Sequence, residues 1–292
     1  MLPFPNIKPT IIEIGPLQIR WYGLMYVFAF VSSYFLIRRQ HKARLCGLEG
    51  KTLQDMIFYL AVGLIVGARL GYVLFYQFSN LPSYLRNPLE IIAVWHGGMS
   101  FHGGLIGALI TGILYCRLRH LPFWHVADTI IVTAPIGLGL GRVGNFINGE
   151  LFGRPGSVPW AMVFPSGGAV PRHPSQLYEA ALEGALLFVI LWRLKDLRLR
   201  PGAMVCFFLG GYGVFRFLVE FFREPDPQIG LFWGVLTMGQ ILCMFMICGA
   251  VALWVFLPRN PSWKVPESQG QNRGPQGQGQ RSAKRKRPKS NR

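Results

Sequence analysis

Apolar positions along this chain come in long unbroken blocks, not in the alternation of a half-buried strand or the stripe of a surface helix. Blocks fit to cross a bilayer lie at about 20–37, 55–76, 97–116, 124–141, 177–192, 203–222 and 236–257. A helical span needs about twenty residues, so the pattern predicts an all-α integral membrane protein with about seven transmembrane helices. Between the fourth and fifth blocks, residues 154–171 (RPGSVPWAMVFPSGGAVP) carry too much Pro and Gly for a helix. They predict an extracytoplasmic lid or head, with a plain surface loop as the alternative. Beyond Pro258 the chain turns to Gly, Gln, Ser and the cluster KRKRPK, a composition with little to bury. A disordered basic tail over 258–292 follows from it. The tail could adhere to anionic lipid or serve only to set topology.

Lys and Arg in the connections set the orientation. One set of loops holds Arg38, Arg39, Lys42, Arg44 and Lys51, then Arg117 and Arg119, then Arg193, Lys195, Arg198 and Arg200, then the tail. The positive-inside rule makes that set cytoplasmic, with the N-terminal segment 1–19 outside and the C-terminus inside. The membrane domain then runs over 20–257 and includes the head at about 142–176. A net charge of +17 would suit a nucleic-acid partner, but the basic residues sit where topology requires them, so none is expected. The first twenty residues hold four prolines and Glu13, so a cleavable leader is not expected. Five cysteines form no CxxC pair and six histidines no HExxH, which predicts neither disulfide nor metal.

Candidate chemistry concentrates at the end of the fourth block, in GRVGNFINGELFG (141–153), where Arg142, Asn145, Asn148 and Glu150 stand among glycines. A guanidinium at the end of an apolar segment is costly and usually faces a cavity, partner or ligand. A snorkelling arginine is the alternative. Helical rise converts position into depth: His102 comes about 8 Å below the outer surface and Arg216 about 20 Å up from the inner one. Arg69, Tyr22, Arg172, His173, Tyr178 and Glu179 fall at the same outer level, which predicts one polar cavity opening to the outer leaflet. Tyr212, Arg216 and Glu220 share a helical face, and an Arg216–Glu220 pair could be structural alone. Around His102, Gly103 and Gly104 leave room for a neighbouring chain, though a core histidine is the ordinary reading of one His in an apolar helix. His96 reads as interfacial, and His173 as structural at the start of the fifth helix. The glycine and alanine face at 103–108 would let another helix approach closely.

These segments together resemble the prolipoprotein diacylglyceryl transferase family. The resemblance rests on GRVGNFINGELFG, WYGLMY (21–26), GGMSFHGGLIG (97–107), RHPSQLYE (172–179) and GYGVFRFLVEFFREPD (211–226), in that order. It covers nearly everything except the tail. His96, where some members carry an acid, is a local departure. The resemblance implies a bacterial inner-membrane transferase. Such an enzyme moves the diacylglyceryl group of phosphatidylglycerol to the lipobox cysteine of a prolipoprotein and releases glycerol 1-phosphate. Phosphatidylglycerol, signal peptides bearing a lipobox cysteine, and membrane lipid would be the partners, with no cofactor. Catalytic roles fall on His102, Arg142 and Arg216. Binding of phosphatidylglycerol falls on Arg142, Arg216, Tyr22, Asn145, Asn148, Glu150, Gly153, Tyr212 and Glu220. His102 would take the thiol proton or merely orient groups. A transporter or scramblase of anionic headgroups, or a structural lipid-binding protein, stands as the competing class.

Overall fold

A two-stranded hairpin leads the chain into its first helix. In the computed structural model, which describes residues 2–257 apart from 6, 15–16, 94–96, 225–230 and 233–234, β1 (Thr10–Ile14) pairs antiparallel with β2 (Leu17–Arg20). His96 and the tail from 258 onward lie outside the described residues. The hairpin runs directly into α1 (Trp21–Arg39), and the short α2 (His41–Leu45) follows. Next come α3 (Gly50–Gly71), prolonged by a π turn at Tyr72–Tyr76, and the small α4 (Leu81–Arg86) and α5 (Leu89–Ile92). The chain continues through α6 (Phe101–Leu118), α7 (Phe123–Ile131) and α8 (Ala134–Ile147). After an irregular segment, α9 (Ser175–Glu179) passes through a π-helical stretch, Ala180–Leu186, into α10 (Leu187–Leu194). α11 (Ala203–Glu220), a two-residue hairpin of β3 (Leu231–Phe232) and β4 (Leu236–Thr237), and α12 (Met238–Phe256) complete the order.

Four of these helices are long and apolar enough to cross a membrane: α3 with its π turn, α6, α11 and α12. α7 and α8 make a fifth if their 41° bend is taken within one span. Pro135 explains the break, because it lacks an N–H and its ring clashes with the carbonyl four residues back. The other two apolar blocks are helical as well, in α1 and in α9 to α10. Large apolar side chains on the outer faces are exposed, among them Phe58, Ile65, Leu105, Leu109, Phe245 and Val251, as a surface solvated by lipid requires.

Helix contacts are made by small residues. A Cβ added at Gly67 on α3 would stand 2.4 Å from the Gly103 carbonyl of α6, and one at Gly107 would stand 2.2 Å from the Gly63 carbonyl. The two backbones therefore touch along a glycine seam, the packing lipid favours where no hydrophobic drive exists between helices. The close approach expected of the 103–108 face is made by α3 of the same chain. At a second crossing, a Cβ on Gly184 would lie 2.7 Å from the Gly139 Cα. That approach presses the helix carrying Glu179 and Glu183 against the one carrying Arg142. Around it lies a core of Val132, Leu187, Leu191 and Met204, with Tyr212 packed on its edge.

The segment between α8 and α9 is a packed unit with its own aromatic core, not an open loop. Phe164 is fully buried against Phe4, Phe146 and Phe152. Short bridges tie Pro155 and Met162 to Arg172, and Leu2 to Met162.

Candidate active site

Glu179 is the centre of the polar interior. It ends α9, has no solvent exposure, and takes ion pairs from three directions. Arg142 Nε of α8 lies 2.6 Å from Oε2, while Arg216 Nη1 of α11 lies 2.8 Å and Arg223 Nη1 3.4 Å from Oε1. Arg216 also reaches Glu220, one turn on, at 2.8 Å through Nη2. Glu220 Oε1 in turn accepts from Thr237 Oγ1 at 2.9 Å, and Gly239 leaves the carboxylate its space, since a Cβ there would fall 2.6 Å from it. Burying charges is expensive unless each is paired and hydrogen-bonded, and removing one partner from such a set typically costs about 3–5 kcal/mol. The network meets that condition for Arg216. Arg142 approaches Glu179 closest through Nε, and among the described residues its two terminal nitrogens make no hydrogen bond. Its side chain keeps 19% exposure, so the guanidinium edge remains reachable. Glu183, one turn beyond Glu179, is fully buried with neither carboxylate oxygen hydrogen-bonded.

The glycine-rich turn after Arg142 is fastened to the helix that carries Glu179. Asn145 is buried, and its carbonyl accepts from the Glu150 N–H at 3.1 Å. Asn148 Nδ2 donates to Glu150 Oε1 at 3.1 Å. From α9, Gln176 Nε2 donates to the Glu150 carbonyl at 2.6 Å and Ser175 Oγ to the Leu151 carbonyl at 3.0 Å. Gly149 and Leu151 both adopt positive φ, +66° and +58°, and for leucine that conformation costs about 1–2 kcal/mol. Gly153 sits where two segments cross: a Cβ would stand 2.3 Å from the Phe222 carbonyl, and its N–H donates to the His173 carbonyl at 2.8 Å. Tyr22 of α1 lies over Gly144, where a Cβ would be 2.9 Å from its ring, and its hydroxyl is 3.3 Å from that of Tyr26.

With that geometry in place, comparison with known proteins becomes decisive. The family model for prolipoprotein diacylglyceryl transferase matches residues 9–256. The chain belongs to that family. A phosphatidylglycerol–prolipoprotein diacylglyceryl transferase of Geobacter sulfurreducens is 51% identical over 259 residues, covering 88% of this chain and 98% of that protein. Relatives of the same description in Bordetella bronchiseptica and in Vibrio vulnificus strain YJ016 are 50% and 51% identical. They cover 90% and 87% of this chain and 100% and 94% of their own lengths.

Family membership leaves open which expected residues meet, and that the structure answers unevenly. Arg142, Arg216 and Glu220 join one network, with Tyr212 one turn before Arg216. Asn145, Asn148, Glu150 and Gly153 build the turn that anchors it. His102 does not join. Gly103 and Gly107 turn toward α3, and the neighbouring His102 is exposed with its ring against Phe101. α6 packs mainly on α3 and touches α7, neither of which carries the arginines. Among the described residues no hydrogen bond or ion pair joins His102 to Arg142 or Arg216, which share Glu179. Arg69 is also accounted for otherwise: it is buried and donates to the carbonyls of Glu90, Ile91, Gly97 and Gly98 at 2.5–3.0 Å. Arg172 pairs with Glu224 at 2.5 Å and lies over the Phe152 ring, and His173 Nδ1 lies 3.0 Å from the Tyr178 hydroxyl, both of which tie the head together.

The sequence places Glu179 among the polar groups of the outer level but does not make it the partner of three arginines. Glu179 was legible as an acid at the outer end of the fifth helix, inside RHPSQLYE, and Arg223 as a loop cation. Nothing in their spacing said that they would meet.

Proposed function

We propose that this protein transfers the diacylglyceryl group of phosphatidylglycerol to the lipobox cysteine of prolipoproteins, releasing glycerol 1-phosphate, in a bacterial inner membrane. The observation that carries the reading is the pair of arginines from α8 and α11 held on one buried carboxylate. Such a pair presents a pre-oriented positive edge where a lipid phosphate would sit. The cysteine sulfur attacks the glycerol carbon of the diacylglyceryl moiety, the bond from that carbon to the phosphate oxygen breaks, and its electrons leave with glycerol phosphate. Arg142, with its terminal nitrogens uncommitted, takes the charge that grows on the leaving phosphate; Arg216, already fixed twice, holds the orientation. Asn145, Asn148, Glu150, Gly153, Tyr22 and Tyr212 shape the headgroup site, and Glu220 positions Arg216. His102, exposed on α6, takes the thiol proton of the incoming precursor.

Seven spans, an extracytoplasmic N-terminal segment and head, and a cytoplasmic C-terminus belong to the same reading, supported by the Lys and Arg bias of the connections. The test is mass spectrometry of a lipobox peptide incubated with the purified protein and phosphatidylglycerol. A diacylglyceryl mass on the cysteine is expected. An unmodified cysteine beside tight lipid binding would favour the transporter or lipid-binding class instead.

A further inference from the structure

A groove of 570 Å³ lies between the N-terminal segment and the head, within the roughly 300–1,000 Å³ of ordinary binding pockets. Phe4, Ile7, Val163 and Phe164 make it largely apolar, and Lys8 and Asn148 supply its polar edge. Both walls are fixed. Phe4 packs on Phe146 and Phe164 at 5.4 and 5.1 Å, the Leu2 N–H donates to the Ala161 carbonyl at 3.1 Å, and Ser166 Oγ holds the Gly149 carbonyl at 2.8 Å. None of the groups in the arginine network lines this groove.

We infer that the groove receives the precursor residues that directly follow the acceptor cysteine, and that Lys8 favours an acidic side chain there. The inference rests on the transfer reading above. Reach supports it: Asn148 stands six residues past Arg142 on the same helix and its cap, a rise of about 9 Å. An extended peptide covers that distance in about three residues. A cysteine reacting beside Arg142 therefore delivers its second and third following residues to the groove, provided the chain leaves the site along α8. Charge supports it too, because an exposed lysine on an apolar rim attracts carboxylates and repels a basic segment.

The test uses three lipobox peptides that differ only at the second and third positions after cysteine, bearing two acidic, two basic or two uncharged residues. Each is assayed with the full chain and with Lys8→Glu. The unaltered protein should favour the acidic over the basic peptide by about twofold to fivefold in kcat/KM, carried by KM, the size an exposed ion pair allows. Lys8→Glu should reverse the order, and the preference should vanish at 1 M salt, where the screening length is about 3 Å. The uncharged peptide should be processed equally by both proteins. A preference unchanged by Lys8→Glu, or absent in both, overturns the inference. Should Lys8→Glu impair the uncharged peptide as well, Val163→Trp, which fills the groove from its other wall, decides: KM rises for all three peptides if the groove is used and stays put if it is not. No transfer to any peptide by the unaltered protein would remove the transfer reading itself.

Discussion

Arg142 and Glu179 meet at 2.6 Å, guanidinium Nε to carboxylate Oε2, where α8 passes α9. The pair joins residues 37 positions apart in sequence, on two different helices. Its neighbour Arg216 shares the same carboxylate, so the two guanidinium groups cannot drift apart independently.

Replacing Glu179 with Gln leaves three arginines facing one another around a neutral amide. Phosphatidylglycerol turnover should fall by about a hundredfold, the scale of a lost preorganised electrostatic contact. The melting temperature in detergent should fall as well, because buried charges lose their partner. Thermal denaturation followed beside the peptide assay checks both, and normal turnover would show that the anchor is dispensable.

Arg142→Lys keeps the charge but loses the planar fork that binds a phosphate at two points. Turnover should drop by about two orders of magnitude or more, with phosphatidylglycerol affinity weakened far less. Separate measurements of lipid binding and single-turnover rate distinguish a role at the leaving group from a role in binding alone.

His102→Gln should leave phosphatidylglycerol binding unaltered, since among the described residues no hydrogen bond or ion pair joins the ring to the arginine network. If the imidazole takes the thiol proton, turnover falls by about a hundredfold or more. Near-normal turnover would withdraw the base assignment, and a collapse of lipid affinity would show that α6 and the arginine network come closer during the reaction.

Gly67→Val places a branched side chain where a single Cβ already falls 2.4 Å from the Gly103 carbonyl. α3 and α6 must part, and the cost should exceed the 1–3 kcal/mol typical of core overpacking, because the obstacle is the Gly103 backbone. A strongly lowered melting temperature is expected. An unchanged one would mean that the glycine seam is not a tight contact.

Arg69→Met removes the donor to four carbonyls between Glu90 and Gly98. That stretch should become a preferred site of limited proteolysis, while the Arg142–Glu179 pair keeps its chemistry. Protease mapping and residual transfer activity together check the separation of the two roles.

Much of this organisation was legible because lipid imposes severe rules on sequence. The four long apolar helices begin or end within a few residues of the blocks that predicted them, and Pro135 marks where the fourth block bends. The Arg216–Glu220 pair was readable from four-residue spacing on one helix. Depth was readable too, from helical rise, but depth alone gathers residues at one level without saying which side of the bundle they face. His102 and Arg69 illustrate the difference: the first is exposed and the second is committed to backbone carbonyls.

The chain's own letters settled that it is a helical membrane protein of this family and that Arg142 and Arg216 are its exceptional cations. Folding settled who meets whom. Glu179 became the shared partner of three arginines because Gly139 and Gly184 let two helices nearly touch, and the glycines beside His102 are spent on α3. Both outcomes depend on which helix faces each glycine. Contacts between residues 37 or 44 positions apart are set by the packing of whole helices, and no local spacing encodes that.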